Sequence, residues 1–239
     1  NDTAALEIEP LTFVSGELNS SWVPIAAAIA DKTNHYFYGY PVTVSIGGAI
    51  ANPHLIQKDE AAIGLSQRFY LQSLAEKDDY DESSDNLRGV ASLEVRALHF
   101  VADHELDVST IGQAINKLDH LQLGTLPQTD TSLMLLKAVL AEYGIADPKE
   151  LQAPGTDIYL AEGSSLFKAY TDAYFDCLVI HEAVPKSAIQ ELMDKRYSRL
   201  LSLEPEIIDA LSAKYGWVPL VIPAGSYPGQ TEDVHTVGM

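Results

Sequence analysis

Cysteine is almost absent from this 239-residue chain. Cys177 stands alone, so neither an intramolecular disulfide nor a cysteine-based zinc cluster can form. Cations are scarce too: 15 Lys+Arg face 34 Asp+Glu, a formal charge of −19. A surface that acidic repels phosphate backbones and anionic lipid heads, which argues against nucleic acid or a membrane surface as partner. No apolar run approaches the roughly 18 residues that a spanning helix needs. The first residues show neither a basic n-region nor an apolar h-region, so the chain is expected to be cytosolic or to have lost its signal. The catalytic and cofactor signatures G-x-S-x-G, P-loop, H-E-x-x-H and G-x-G-x-x-G are all missing, and no fixed-period repeat or low-complexity tract occurs. No enzyme, cofactor or metal site is therefore expected.

What remains is an ordinary globular composition, 46% hydrophobic and 21% charged, long enough for one large domain or two lobes of roughly 100–120 residues. Short β-rich runs alternate with helical patterns, which predicts an α/β protein with mostly parallel sheets. Strands are expected over 11–15, 42–46, 61–65, 90–93, 98–102, 121–124, 174–180 and 218–222. Helices are expected over 21–33, 52–58, 185–195, around Leu133–Leu140–Tyr143 with a stop at Gly144, and from Pro205 with a stop at Gly216. In the first helix Trp22, Ile25 and Ile29 share one face by spacing. The acidic stretch 76–85 reads as an exposed connection. If the strands near 91–102 and 218–222 both cross between lobes, the fold has a hinge of two crossing segments and a cleft able to close on a small ligand. The expected division is 1–97 for a first lobe, 98–219 for a second, and 220–239 for a return to the first.

Few residue pairs suggest chemistry. Cys177 and His181 would meet on a helix, but their run is strand-like, and residues four apart in a strand lie about 13 Å apart. A buried structural thiol is the expectation for Cys177. His99 and His104 lack the spacing of a metal site. The polar residues carry more information, because the expected strands end in turns bearing hydroxyl, amide or glycine groups: 15–21, 45–49, Ser66–Gln67, 129–132 and His181–Glu182. In open α/β sheets the crevice at the carboxyl ends of strands is where small ligands bind. Any one such turn is simply a helix cap; five in succession point to a binding cleft.

The tail VIPAGSYPGQTEDVHTVG (221–238) closely resembles a signature of the TAXI-type solute-binding proteins of TRAP transporters, VIPAGTYPGQDEDVPTVG. Shorter matches follow in family order. Ser45–Ile46–Gly47–Gly48 with Asn52, Ala61 and Leu65–Ser66–Gln67 is similar to the family's TGGS…N…G-E-A-D…Q region. Leu98–His99–Phe100–Val101 is similar to LHLV, and Pro127 with Ser132 and then 142–145 is similar to P-P-G-S-G-T…AYGI. Asp176 and 185–192 resemble D-A-F-F…P…AI-x-EL. The resemblance spans about 11–238. It implies a two-lobed type II periplasmic-binding-protein fold, an extracytoplasmic location, a small organic acid or amino acid as ligand, and a membrane permease as partner. An extracytoplasmic sensor domain with a signalling partner is the alternative. It also implies a family chain that continues past Met239 with further strand and helix of the first lobe.

On that resemblance Ser15, Gly16, Ser21, Trp22, Gly47, Gly48, Ser66 and Gln67 would line one wall of the cleft. Glu94 and Arg96 would sit near the hinge, and Pro127, Asp130, Ser132, His181 and Glu182 would form the other wall. Trp22 offers either a flat face to a ligand or a core contact. The family's glycine-rich first loop is replaced here by Val14–Ser15–Gly16–Glu17 and the residues to Pro24, and Ala49, Asp130 and Glu94 depart from the pattern. Glu17, Glu94, Asp130 and Glu182 then oppose Arg68, Arg96 and His181. Two carboxylates about 4 Å from a dianion would repel it by about 1–4 kcal/mol per charge pair, depending on solvation. Unless those acids point to water, the ligand is expected to be zwitterionic, amine-bearing, or neutral and polar.

Overall fold

The computed structural model describes residues 9–16, 22–37, 41–67, 87–117, 121–127, 131–145 and 156–239. The expected connection at 76–85 and the site candidates Ser21 and Asp130, with Glu17 and Arg68, lie outside the described residues. The chain divides into two compact units, 1–91 and 92–239.

The first unit is built from β-α-β-α-β. Strands β1 (Leu11–Val14), β2 (Val42–Ser45) and β3 (Ile63–Gly64) form a parallel sheet in the order β2-β1-β3, joined through helices α1 (Trp22–Tyr36) and α2 (Ala51–Gln57). Alanine-rich α1 carries Pro24 in its first turn, where the missing N–H costs nothing. Its buried stripe is Ala26 and Ala30, not the predicted Trp22–Ile25–Ile29 face, which is only half-buried. Methyl side chains i and i+4 apart leave room for close packing, and the larger residues flank that contact. At the far end Asn34 pairs with Val42 in both directions, Nδ2 to the carbonyl (3.0 Å) and Oδ1 from the amide (2.7 Å). This pins the exit of α1 to the start of β2.

The second unit holds a mixed seven-stranded sheet in the order β6-β5-β7-β4-β10-β9, with β8 pairing beside β4. Its strands are β4 (Ala97–Asp103), β5 (Leu121–Thr125), β6 (Thr156–Leu160), β7 (Cys177–Glu182), β8 (Ser198–Leu200), β9 (Val218–Ile222) and β10 (Val234–Gly238). Helices α3 (Ile111–Lys117), α4 (Thr131–Glu142), α5 (Gly163–Thr171), α6 (Ser187–Lys195) and α7 (Pro205–Tyr215) complete it. The β6–β5 and β5–β7 pairs are parallel; β4 is antiparallel to β7, β8 and β10, and β10 to β9. The expected mostly parallel arrangement thus describes the first sheet, and the second is mixed.

β4 and β7 read as continuous apolar runs because both faces of the sheet are covered. On one face Val101, Leu178 and Ile180 meet Leu166, Tyr170, Phe175, Ile189 and Leu192 in a single core. The opposite face carries Cys177, Val179 and His181, and α4 packs on β7 there. Cys177 is fully buried, and burial pushes its thiol far above the usual range. Below the core, Arg196 donates to Asp103 Oδ2 (3.0 and 2.6 Å) and to the carbonyls of Tyr170 (2.6 Å) and Phe175 (3.0 Å).

The structure departs from the sequence reading in several places. Residues 90–93, expected as a strand, lie in an irregular exposed segment, because β-branched residues without a pairing strand gain nothing from extension. Residues 174–176 are turn, and β7 starts only at Cys177. The segment 220–239, expected to return to the first lobe, pairs instead within the second unit. β10 bonds β9 along its length and meets β4 at Gly238 opposite Ala97, extended by reciprocal Arg96–Met239 amide bonds of 3.0 and 3.1 Å. Helix α7 keeps its predicted limits, with Pro205 at its start and Gly216 in the left-handed region at φ 66°.

A Cβ on Gly124, in β5, would collide with three atoms of the Phe175 ring. Gly124→Ala is therefore expected to lower stability by about 1–3 kcal/mol through overpacking, read as a reduced urea midpoint at unchanged slope.

Candidate functional site

Where strands leave a sheet, their last backbone groups lose the ladder and need other partners. In the first unit one side chain supplies most of them. Asn52 of α2 is fully buried, and its Nδ2 lies 3.2, 2.6 and 2.6 Å from the carbonyls of Val14, Ser15 and Leu65, while its Oδ1 accepts the Gly48 amide at 2.9 Å. One carboxamide thus ties the exits of β1, β2 and β3. Gly47 must lack a Cβ, which would overlap Asn52 Oδ1. The Gly47 amide donates to Gly16 at 3.0 Å, closing the β1 and β2 turns on each other.

The structure therefore brings Ser15, Gly16, Gly47, Gly48, Ser66 and Gln67 together at the carboxyl edge of this sheet. Two hydroxyls are already engaged: Ser15 Oγ donates to the Ser45 carbonyl (2.9 Å) and Ser66 Oγ to that of Ala49 (2.8 Å). The buried Gln67 Oε1 has no hydrogen-bond partner. Trp22 opens α1 and is half-buried.

In the second unit the carboxyl ends of β5, β7 and β10 lie beside the amino end of β4. His181 does here what Asn52 does in the first unit. Its Nε2 donates to the Arg96 carbonyl at 3.1 Å, its Nδ1 accepts from Thr131 Oγ1 at 3.2 Å, and its amide donates to Ser132 Oγ at 3.0 Å. This fixes the neutral tautomer and seats the start of α4. Around it, Arg96 Nε contacts Glu94 Oε1 at 2.7 Å and Arg96 Nη1 lies 3.9 Å from Glu182 Oε2, which also receives Lys186 Nζ at 3.0 Å. Glu94, Arg96, Ser132, His181 and Glu182 are thus gathered. Pro127 follows β5 at the same end.

On the other face of β4, His99 is fully buried; its Nδ1 donates to the Ala97 carbonyl (2.9 Å) and its Nε2 accepts from Tyr227 (2.8 Å). The Tyr227 hydroxyl in turn accepts the Lys186 amide at 3.0 Å. Tyr227 belongs to the β9–β10 connection, whose turns need Gly225 (φ 79°) and Gly229 (φ 73°). Asp233 and Gln230 bond that connection from within, to the Ala224 amide and to the Ile222 and Glu232 carbonyls. The tail motif is thereby explained as a self-bonded loop clamped to the sheet. Asn52, Thr131, Tyr227 and Lys186 were not among the expected site residues. A buried-helix asparagine four residues after a glycine pair was the available signal for Asn52.

Among the described residues no three His, Cys, Asp or Glu side chains cluster as metal ligands, and no helix is long and apolar enough to cross a membrane. An open cavity of about 490 Å³ lies beside α3, lined by residues including Asp107, Asn116, Lys117 and Glu204; none of the expected site residues borders it.

Replacing Asn52 by Ala would take this partner from the Ser15 and Leu65 carbonyls and from the Gly48 amide, while the Val14 carbonyl keeps the Leu65 amide at 3.0 Å. The expected loss is about 3–5 kcal/mol, measured by denaturant unfolding, with much less for Asn34→Ala at the exposed end of α1.

Burial lowers His99 from 6.5 to about 4, against the opposing Ala97 bond and the Glu182 charge. It lowers His181 to about 3, against its bond to the Arg96 carbonyl and helped by the Arg96 charge. Below pH 6.5 the unfolded chain takes up protons that the folded chain refuses. The stability conferred by two neutral imidazoles is therefore complete above about 6.5 and drains as pH falls towards 4 and 3. Between pH 7 and 5 the unfolding free energy should drop by roughly 2 kcal/mol per imidazole. Chemical denaturation at both pH values should show this, with a shallower slope in His99→Gln.

The model of the NMT1-like family matches residues 14–239. No curated protein matches. Among solved structures, the chain is similar to PstS from Borrelia burgdorferi, with 12% identity and a TM-score of 0.52 over 87% of this chain and 83% of that one. It is similar to an ABC-type phosphate transport receptor from Vibrio cholerae, with 12% identity and a TM-score of 0.51 over 82% and 77%. A third likeness is to the periplasmic aliphatic sulphonate binding protein SsuA from Escherichia coli, with 11% identity and a TM-score of 0.50 over 81% of this chain and 56% of that one. The α/β fold is that of periplasmic binding proteins.

Proposed function

The chain belongs to the NMT1-like family, and from that premise we propose that it is an extracytoplasmic solute-binding protein that captures a small polar organic solute without transforming it. The observation that carries this reading is the convergence of strand-end turns at the carboxyl edge of the first sheet, held rigid by the buried Asn52. Such edges are where open α/β sheets receive ligands. A preorganised rim lowers the ordering cost of binding, because its backbone is already fixed before a ligand arrives. Two of the similar proteins of known structure are a phosphate transport receptor and a sulphonate binding protein, which supports solute capture as a class.

The finer assignment is to a TRAP-type transporter of the TAXI kind, with membrane permease subunits as partners. It is supported by the tail motif over 221–238 and by the ordered shorter matches. In this reading the strand-end turns carrying Gly16, Gly47, Gly48 and Gln67 form the solute-facing edge of the first unit; Glu94, Arg96, Pro127 and Glu182 are the corresponding candidates of the second unit. Ser15, Ser66 and Ser132 act one step back, by holding the turns in shape.

A thermal-shift screen of amino acids, organic acids, amines and sugars tests the proposal. A true ligand at 100 times its Kd stabilises the folded form by about 2.7 kcal/mol, which raises the melting temperature by several degrees. Failure of every class to shift the transition, together with mass spectrometry finding no co-purifying solute, would remove the solute-binding reading.

A further inference from the structure

We infer that Tyr227, the tyrosine of the tail motif, is a positioning residue for the second unit's candidate site: its hydroxyl ties down the β7–α6 loop at Lys186 and so keeps the Lys186 ammonium on Glu182, at the carboxyl end of β7. This rests on the reading of the strand ends as the solute-binding surface.

β7 ends at Glu182 and α6 starts at Ser187, so residues 183–186 carry the chain from one to the other. Loops at this end of a strand are where open α/β sheets meet their ligands, and a loop fixed beforehand costs less to order on binding. Lys186 stands just before α6 with extended backbone (φ −114°, ψ 122°) and makes no side-chain cap. Its carbonyl accepts the Ile189 and Gln190 amides, each at 3.1 Å. Its own amide donates to the Tyr227 hydroxyl at 3.0 Å, across 41 positions of sequence.

Tyr227 is itself held from two sides. Its ring packs in the core with Ile189, Ile222 and Val234, against which Val184 of the loop also rests. Its hydroxyl donates to His99 Nε2 at 2.8 Å while accepting the Lys186 amide, so it acts as donor and acceptor at once. His99 receives that bond through Nε2 because its Nδ1–H is spent on the Ala97 carbonyl at 2.9 Å. Ala97 is the β4 residue that pairs with Glu182 across the ladder. The bonds therefore close a circuit, from Glu182 along the loop to Lys186, then through Tyr227, His99 and Ala97 back to Glu182. A further bond, Gln190 Nε2 to the Ser226 carbonyl at 3.4 Å, joins α6 to the same β9–β10 connection.

Lysine has a flexible stem, so an anchored backbone sets the arc that its ammonium can reach. From this anchor it reaches back to Glu182 Oε2 at 3.0 Å, the oxygen that also lies 3.9 Å from Arg96 Nη1. A phenylalanine at 227 would fill the same core and offer neither bond. Ring and hydroxyl thus have separable roles.

Hydrogen exchange and isothermal titration of the full chain test the inference. Relative to unfolded rates, the native Lys186 amide should exchange roughly tenfold or more slowly than those of Ser187 and Ala188, which as first helical residues have no partner within α6. In Tyr227→Phe that protection should vanish, while the Leu178 and Ile180 amides of β7 keep theirs. Titration uses L-glutamate, L-serine, succinate and inorganic phosphate, or the compound that the wider screen identifies. Tyr227→Phe and Lys186→Met should each weaken the tightest of these by about fivefold or more, and the double variant no further than Lys186→Met alone. Additive losses would show that Tyr227 does not act through Lys186, and would overturn the inference. Unchanged affinity in folded Tyr227→Phe would do the same. So would a native Lys186 amide that exchanges as fast as Ser187, a measurement that needs no variant and stands even if Tyr227→Phe does not fold. Each of these outcomes leaves solute binding intact. If no compound binds, the solute-binding reading itself fails, and this inference with it.

Discussion

Backbone polar groups cannot be buried without partners, and the ends of β-strands are where that rule is hardest to meet. Each unit of this protein meets it with a single buried side chain. Asn52 bonds carbonyls from two strand exits and an amide from the third. His181 joins the amino end of β4 to the start of α4. Both residues are neutral, and both combine donor and acceptor in one rigid plane. A charged residue in either place would carry a desolvation cost that its partners here could not offset. The turns that could touch a ligand depend on these two anchors for their shape.

This dependence divides the polar residues into two roles that a sequence alone cannot separate. A serine in a strand-end turn can face solvent or turn back to a carbonyl, and both uses select the same residue type. Ser15 and Ser66 turn back, and Ser132 accepts the His181 amide. What remains among the described residues is the Gln67 carboxamide, whose buried Oε1 has no hydrogen-bond partner, and the ion pairs around Glu182. Recognition would then come from shape and from a few acceptors, and the hydroxyls would serve stability.

Periodicity and turn chemistry made much of the α/β alternation legible. Pro205 and Gly216 bracket α7, Gly144 closes the turn after α4, and the 42–46 and 98–102 runs hold β2 and β4. What escaped was either short or dependent on distant pairing. α3 has seven residues and includes Gly112, while β8 has three and exists only because β4 offers it an edge. Conversely Val90 and Val95 have strand propensity but no strand to pair with, and remain exposed. The residues around the candidate site were legible as a group, because glycine, serine and amide residues at strand ends are a local signal. Their individual bonds were not, because Asn52 reaches residues 37 and 38 positions away and His99 reaches Tyr227 across 128.

The same logic bears on how far the fold constrains the ligand. Proteins that share this architecture at about 12% identity retain the framework while almost every side chain differs. What such a framework preserves is the geometry of strand ends and helix starts, which presents backbone N–H groups to whatever arrives. Selectivity must then be set by the few ionisable groups placed on that geometry. Among the described residues Arg96 contacts Glu94 and Glu182, Lys186 contacts Glu182, and the ring nitrogens of His99 and His181 are committed to neutral hydrogen bonds.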